Sequence, residues 1–427
     1  MTDQLEATAS QSQLAETTAV YGRMTRPRFL GFIITIFATA YILFAVMITI
    51  PVISNFYVLF GDQPLMVNYI VSGGLLIAIL ANLVGARLMR VVSKRTLMII
   101  GLALFTVAGT FQVAVLDVWY IAIVGTIASV GCGLVVIAAT SLLSEAYPDE
   151  KKRGTMLGWY NAFGSIVGAV LSTVAGLVAT QVASWTSVYW LFAVAGIVLI
   201  LAVFFIPATP TDQELEAHDA AGTVKDRIPT LPMAGLGIAG FVLSLVYTVP
   251  VYLISVLVLE RALGDEATAG MLSSATTVGS AIGCAVFGIL FRYLGRLVAT
   301  LSYALMAVGV VLLLADGVGV VAAGCVVMGI AYGAGFVYYT ARATTIVPPS
   351  RVPVALSIAW ATINLGGFAS TYGVTALQNA LGITTVSGVF PFLLGLLIVG
   401  TVLSVVFAVI ARMRATATPI AVTVTPA

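Results

Sequence analysis

The chain has 427 residues, of which 60% are apolar and only 8% charged, and its mean hydropathy is +1.11. A water-soluble domain of this size needs far more polar surface, so the composition excludes a soluble globule and indicates a protein solvated by lipid. The net charge of +2 offers no strongly basic surface, so no nucleic-acid partner is expected.

The chain begins with 28 polar residues, with Arg23, Arg26 and Arg28 just before the first apolar run. That run is too long for the core of a signal peptide, so we expect it to remain as a membrane span. Runs of about 20 apolar residues follow it and do not alternate in polarity, which predicts helices and not a β-barrel. The twelve runs begin near Phe29, Leu65, Thr96, Tyr120, Thr155, Ser187, Leu231, Thr268, Leu297, Gly319, Val352 and Thr385.

One long polar segment, residues 207–230, interrupts the apolar sequence and contains the only histidine, His218. We predict that it is a cytoplasmic linker between two six-helix bundles, residues 29–206 and 231–411. Residues 1–28 and 412–427 are then cytoplasmic tails. The predicted fold class is an all-α membrane protein whose twelve transmembrane helices form two pseudo-symmetric bundles.

The basic residues predict the orientation of the chain. With a cytoplasmic N-terminus, 18 of the 19 Lys and Arg residues fall in cytoplasmic segments, and only Arg261 lies outside. Cytoplasmic loops are enriched in basic residues, and a miscounted span would reverse every later loop. We therefore expect a multi-pass protein of the inner (plasma) membrane with both termini in the cytoplasm.

The two halves share a weak internal repeat. RGTMLGWYNAFGSIVG, from Arg153, aligns with RVPVALSIAWATINLG, from Arg351, at an offset of 198. The basic turns that open at Gly85 and Gly288 align at an offset of 203. Two similar bundles related by an axis along the membrane normal leave a cleft between them, and rocking exposes this cleft to each side in turn. The repeat therefore predicts a transporter.

At its first basic turn the sequence resembles the major facilitator superfamily, and the likeness extends over almost the whole chain. The family turn has the form G-x-L-A-D-R-x-G-R-R, and Gly85, Arg90 and Lys94 fit it. Met89 replaces the usual Asp and Val92 replaces a Gly. The resemblance implies that the family's Asp contact, which latches the outward-open state, cannot form here in its usual way.

Two further segments are similar to drug and metabolite exporters of that family. They are the loop EAYPDEKKRG, which runs from Glu145 past Arg153, and the fifth span, where Gly164 and Gly168 keep the glycine spacing of an antiporter signature without its proline. From the motifs and the repeat we select candidate gating or conformational residues. These are Gly85, Arg90, Lys94, Glu145, Arg153, Gly164, Gly168, Gly288, Arg292, Arg296 and Arg342.

No Asp, Glu or His falls at mid-depth in any predicted span, although an ionisable group there is the usual sign of proton coupling. This favours facilitated diffusion, exchange, or coupling through the charge of the solute itself. Glu145 and Glu260, at opposite ends of the spans, remain candidate relays beside their interpretation as solvated helix-end acids.

The same absence predicts a neutral, amphipathic cleft. The resemblance implies that the first, second, fourth and fifth helices of each half line it, which selects polar and aromatic residues near mid-depth. The candidate substrate-binding residues are Tyr41, Asn82, Tyr247, Tyr252, Tyr332, Trp360 and Asn364. Trp360 and Asn364 are four residues apart and share one helix face. For each aromatic residue, core packing or a lipid-facing position is the competing interpretation.

The leading hypothesis is a secondary active or facilitative transporter of a small neutral or weakly anionic solute, with efflux slightly favoured. The alternative is uptake or exchange of an organic anion through Arg342 or Arg87. An intramembrane enzyme is disfavoured, because the predicted spans offer no His, Asp or Glu at mid-depth to act as a base. A channel is disfavoured, because a repeat within one chain favours two rocking halves. We expect no ATP site, cofactor or metal, since no G-x-x-x-x-G-K-[ST] motif is present and the three cysteines fall within apolar runs. The expected partners are the solute and the bilayer, and the protein is expected to be a monomer.

Overall fold

The computed structural model describes residues 21, 24–89, 91–147, 150–182, 184–208, 229–347 and 352–417. Side chains are described there except at residues 150–151, 153–155, 352–354, 356–357 and 410–417. The predicted gating residue Arg90, the side chain of Arg153, and most of the predicted tails and linker therefore lie outside the described part. Within these ranges the regular structure is helical, with no strand.

The first six membrane-crossing helices contain several irregular segments. Their bounds are α1, Arg26–Ala38, Ala40–Leu43, Val46–Thr49, a 3₁₀ turn Ile50–Val52, and Ile53–Leu59; α2, Pro64–Asn68, a π-helical turn Tyr69–Gly73, and Gly74–Leu88; α3, Lys94–Phe111; α4, Val118–Ala146; α5, Glu150–Gln181; and α6, a 3₁₀ segment Trp185–Val194 followed by Ala195–Phe205.

The last six helices repeat this order. Their bounds are α7, Thr230–Tyr252 and Ile254–Glu260; α8, Glu266–Leu294; α9, Leu297–Leu313; α10, Val318–Thr345; α11, Val352–Leu381; and α12, a 3₁₀ turn Ser387–Val389 followed by Phe390–Ala417.

Helix length and hydropathy fit a membrane protein. Ten helices within the described residues are long and apolar enough to cross a bilayer, and α9 and α11 complete the set of twelve. The predicted fold class is confirmed. Most predicted starts agree with the helices to within three residues. The start of α5 is the exception, because the charged residues before Thr155 already belong to that helix.

We name the two ends of the helices by the orientation that the basic residues predict. The outer end is where α1, α3, α5, α7, α9 and α11 finish, and the inner end is where α2, α4, α8 and α10 finish. At the outer end the Asp265 carboxylate caps α8 by accepting from the Thr268 N–H at 3.0 Å, which lowers the pKa of Asp265. Arg261, the one base predicted outside, pairs there with Asp316 at 2.8 Å.

Corresponding helices of the two halves break at corresponding places. Ile53–Leu59 ends α1 and Ile254–Glu260 ends α7, and both segments follow a break close to a proline, Pro51 or Pro250. Proline removes a backbone donor and interrupts the helix ladder. The two segments meet where the Ser54 N–H donates to the Ser255 hydroxyl at 3.1 Å, between residues 201 apart. This contact joins equivalent positions of the repeat at the outer end.

Candidate functional site

Neutral hydrogen bonds join the two sets of six helices at the outer end. Between α2 and α11, the Asn68 amide donates to the Thr375 hydroxyl at 2.7 Å. One turn further in, the Ser72 hydroxyl lies 2.7 Å from that of Thr371 and donates to the Phe368 carbonyl at 3.0 Å. Asn68, Ser72 and Thr371 are buried. This row closes the seam between α2 and α11.

The seam between α5 and α8 closes through small residues. Gly176 and Gly270 cross so closely that a Cβ on Gly270 would lie 2.5 Å from the Ser172 carbonyl oxygen. The Ser274 hydroxyl donates across the seam to the Ala169 carbonyl at 2.6 Å and lies equally close to the Thr173 hydroxyl. In the described part of the chain, every hydrogen bond between α1–α6 and α7–α12 lies towards the outer end.

Four aromatic rings form a continuous wall on α7, α10 and α11. Tyr247 stacks on Tyr332 with ring centroids 3.8 Å apart and planes 4° apart. Phe336, one turn further along α10, lies 6.0 Å from Tyr332 and meets Trp360 edge-on at 5.0 Å. Trp360 is 38% exposed, so the inner end of the wall is open to contact. The structure thus brings together three of the predicted substrate-binding aromatics.

A cavity of about 140 Å³ lies among α1, α2, α3, α4 and α6. It sits between the break in α1 at Phe44–Ala45 and the π-helical turn of α2, and such turns occur frequently at functional sites. Tyr252, from the other half of the chain, contributes to its lining. Cavities of about 150 Å³ can hold a benzene-sized molecule. Hydroxyl, amide and thiol groups reach its wall from Thr49, Tyr69, Gln112, Thr126, Ser129 and Cys132.

The remaining predicted binding residues occupy different settings. Tyr41 donates its hydroxyl to the Leu191 carbonyl of α6, so this group is already bonded within the first half. Asn364 donates its amide to the backbone carbonyl of Trp360, one turn earlier in α11, at 2.8 Å. Asn82, on α2, has a buried Oδ1 with no hydrogen-bond partner in the described part of the chain.

Two of the predicted gating residues form an ion pair at the inner end. Lys94 Nζ lies 2.7 Å from Glu145 Oε1, and the two side chains are 5% and 20% exposed. Tyr21, ahead of α1, donates its hydroxyl to Glu145 Oε2 at 3.3 Å. Burial and the Glu145 charge raise the pKa of Tyr21, so the phenol stays protonated and able to donate. The pair fastens the start of α3 to the last turn of α4.

The predicted glycines differ in their surroundings. Gly85 packs closely against α4, where an added Cβ would lie 2.9 Å from Ile137. Gly164 and Gly168 of α5 provide a flat surface for the ring of Phe44 at the break in α1, with Cβ positions 2.5 and 2.8 Å from it. Gly288, the repeat partner of Gly85, has no neighbour within 4 Å of such a Cβ.

Both carboxylate oxygens of the predicted relay Glu260 accept hydrogen bonds at the start of α12. Its carboxylate accepts the Val386 N–H at 2.6 Å and the Ser387 N–H at 3.2 Å, and it also accepts the Ser387 hydroxyl. It therefore caps the start of α12 from the end of α7. The basic candidates Arg292 and Arg296 are exposed at the inner end, and Arg342 of α10 donates to the Thr345 hydroxyl at 3.2 Å.

Comparison with known proteins establishes the family. The family model of the Major Facilitator Superfamily matches residues 32–371. The chain belongs to the Major Facilitator Superfamily. It is therefore a multi-pass membrane transporter and not an enzyme.

The structure is also similar to solved members of this superfamily. It matches the nucleoside transporter NupG (D323A mutant) with a TM-score of 0.69 at 14% identity, covering 88% of this chain and 99% of that one. It matches a D-xylose-proton symporter with a TM-score of 0.67 at 18% identity, covering 88% and 96%. At these identities the likeness supports the fold alone.

A sequence relative is the methylenomycin A resistance protein of Bacillus subtilis (strain 168), 26% identical over 140 residues. That match covers 33% of this chain and 30% of the relative.

The hydroxyl and amide groups of the outer closure were not predicted from the sequence, and of the residues that line the cavity only Tyr252 was a predicted binding residue. Asn68 and Ser72 carry a usable signal, because two polar residues four apart on an apolar helix share a face that must find partners. Phe336 carries no such signal, since a phenylalanine in a superfamily span faces lipid as readily as a cleft. Met89, at the place of the family's Asp, packs in an apolar cluster with Leu97 and Leu134.

Proposed function

We propose that this transporter moves a small, amphipathic, neutral or weakly anionic organic solute through the cleft between α1–α6 and α7–α12 by rocker-switch alternating access. The observation that carries the proposal is the aromatic wall of Tyr247, Tyr332, Phe336 and Trp360. Aromatic faces bind planar apolar groups, and Asn364 beside Trp360 adds a neutral hydrogen-bonding group. Among the described residues Lys94 is the one charged side chain that is buried, and it lies at the inner end.

Outward transport is the favoured direction. Closure at the outer end leaves the cleft open towards the inner end, a state that an exporter uses for loading and an importer for release. The resemblance to a methylenomycin A resistance protein supports the same direction, because resistance proteins of this kind protect a cell by removing a compound. The cavity near Tyr252 provides room for a ring-sized group of the solute on the opposite side of the cleft.

Transport is proposed to be uncoupled from protons, or coupled only through the charge of the solute. Glu260 is bonded to the start of α12 and Glu145 to Lys94, so both acids have structural partners. The protein is further proposed to act as a monomer in the plasma membrane. In this arrangement residues 29–206 and 231–411 are the moving bundles, residues 207–230 the linker, and residues 1–28 and 412–427 cytoplasmic tails.

A second candidate function is uptake or exchange of an organic anion. Arg342 favours it, because its guanidinium has no acidic partner within the described residues and lies at the inner end of α10. Arg87, in the last turn of α2, is exposed at the same end. An anion entering from the inside would meet these charges first.

Flux in proteoliposomes tests the proposal, with methylenomycin A, benzoate and the cation ethidium as probes. We expect methylenomycin A to move down its gradient without a pH gradient, and ethidium to be excluded. Loss of one aromatic contact is worth about 0.5–1.5 kcal/mol, so Trp360→Ala should slow flux about 2- to 13-fold. Trp159→Ala is the matched control, because Trp159 is 64% exposed on α5.

The contradicting outcomes are distinct. Accumulation that depends on a pH gradient would refute uncoupled transport. Benzoate flux that is lost in Arg342→Gln, with no flux of methylenomycin A, would favour the organic-anion function. Equal flux in Trp360→Ala and Trp159→Ala would remove the aromatic wall from the transport path.

A further inference from the structure

We propose that Asn82 of α2 and the indole N–H of Trp360 of α11 form a hydrogen bond that closes the inner end of the cleft when the outer end opens. The inference rests on the alternating access of the proposed function. Asn82 and Trp360 are not hydrogen-bonded to each other in this structure, and the proposed role of their bond is conformational.

The register of α2 against α11 places the two side chains at one level. At the outer end Asn68 meets Thr375, Ser72 meets Thr371, and Leu75 lies 2.8 Å from a Cβ placed on Gly367. The two helices are antiparallel. Asn82 lies seven residues after Leu75, and Trp360 lies seven residues before Gly367. Seven residues make two turns, so both side chains face the seam about 10 Å further in.

Within the described ranges, Asn82 has an acceptor without a partner, and Trp360 has a donor without a partner. Asn82 Oδ1 is a buried acceptor with no hydrogen bond among the described residues. The Trp360 indole is a donor only, and within the same part of the chain its N–H makes no hydrogen bond although its ring rests on Phe336. A buried acceptor left without a partner is costly, and a seam that closes at this level supplies one.

This pair takes over the task of the missing charged latch. Met89 stands where the superfamily turn has its acid, and it is buried against Leu97 and Leu134. An apolar thioether cannot bind a helix end as a carboxylate does. The Asn82–Trp360 contact is neutral, and one neutral hydrogen bond changes a population ratio about 2- to 13-fold.

Thiol cross-linking tests the register first, in a background with Cys132, Cys284 and Cys325 replaced by alanine. A direct disulfide needs Cβ atoms about 3.8 Å apart, closer than an Asn–Trp hydrogen bond holds them, so a short bifunctional thiol reagent is used. We expect this reagent to cross-link Asn82→Cys with Trp360→Cys and to stop transport. The control pair, Leu83→Cys with Trp360→Cys, should not cross-link, because Leu83 is 56% exposed on a different face of α2. Absence of the cross-link in the first pair would overturn the proposed contact.

Spin-label distances test the bond itself and need no solute. Labels at Val91→Cys and Thr345→Cys report the separation of the inner ends, and the Gly270→Leu background favours opening of the outer end. We expect Asn82→Leu and Trp360→Phe each to reduce the ratio of closed to open inner ends about 2- to 13-fold. The double variant should be no worse than either single variant, because both remove the same bond. Trp159→Phe should have no effect.

The two failures are distinguishable. Two distance populations that do not respond to Asn82 or Trp360, or that respond additively, would overturn the pair and leave alternating access intact. A single distance that is the same in every variant would overturn both the pair and the proposed function.

Discussion

Lys94 and Glu145 show how one residue pair can be strongly constrained without touching the transport path. Their charged atoms are 2.7 Å apart, and Lys94 is almost completely buried. Burying either charge alone costs several kcal/mol, whereas Lys94 and the Tyr21 hydroxyl together give each oxygen of the carboxylate a partner. Lys94, which fits the family turn, therefore has a structural role in joining α3 to α4 that accounts for it as well as a gating role does.

Replacing Glu145 by glutamine should destabilise the protein strongly. The substitution keeps the side-chain shape but removes the charge opposite buried Lys94, at a cost of about 3 kcal/mol, the low end of the usual range because Glu145 is partly exposed. Thermal unfolding in detergent measures the effect. The double variant Glu145→Leu with Lys94→Met should recover part of the loss. A melting temperature equal to that of the wild type would show that the pair contributes nothing to stability.

At the scale of helices, the break in α1 depends on the surface of α5. Phe44 has left helical geometry, with φ of −103° and ψ of 8°, and its ring lies on Gly164 and Gly168. Glycine lets α5 approach this ring as no other residue can. The next residues along α1, Ala45 and Val46, line the cavity, so the two glycines pack against the helix break that borders it.

A leucine at Gly168 should therefore displace Phe44. Its Cβ alone would lie 2.8 Å from the ring, and overpacking of this kind costs about 1–3 kcal/mol. The melting temperature should fall, and Phe44→Ala in the same chain should restore part of it by making room. Gly158→Leu is the matched control, since no atom lies within 4 Å of a Cβ there. Equal falls in melting temperature for Gly168→Leu and Gly158→Leu would show that the position of the Phe44 ring does not require glycine at residue 168.

For the whole molecule, the sequence predicted the number of helices well and the closing contacts poorly. Loops must keep their basic residues on one side, so charge counts fix the number of spans. Hydroxyl residues carry no comparable constraint. Thr106 and Thr140 donate to carbonyls four residues earlier in their own helices, at 2.7 and 2.8 Å, while Ser72 and Ser274 also bond across the seams. The sequence pattern is the same in both cases, and only the packing separates them.

The outer closure should open when the α5–α8 crossing is obstructed. A Cβ on Gly270 would lie 2.5 Å from the Ser172 carbonyl, so Gly270→Leu cannot be accommodated while the crossing holds. The hydrogen bonds of Asn68, Ser72 and Ser274 are each worth only about 1 kcal/mol, too little together to resist a backbone clash of this kind. The two halves should then separate at the outer end.

Thiol labelling at the outer end measures this opening. In a chain without native cysteines, Thr371→Cys is buried and should react slowly with a membrane-impermeant maleimide. Gly270→Leu should raise its rate at least 10-fold, because separation of the halves also exposes the α2–α11 seam. Gly373→Leu is the matched control at the same end, where a Cβ has no neighbour within 4 Å. Unchanged labelling in Gly270→Leu, in a protein that remains folded, would show that the two seams do not open together and that the halves do not move as rigid bodies.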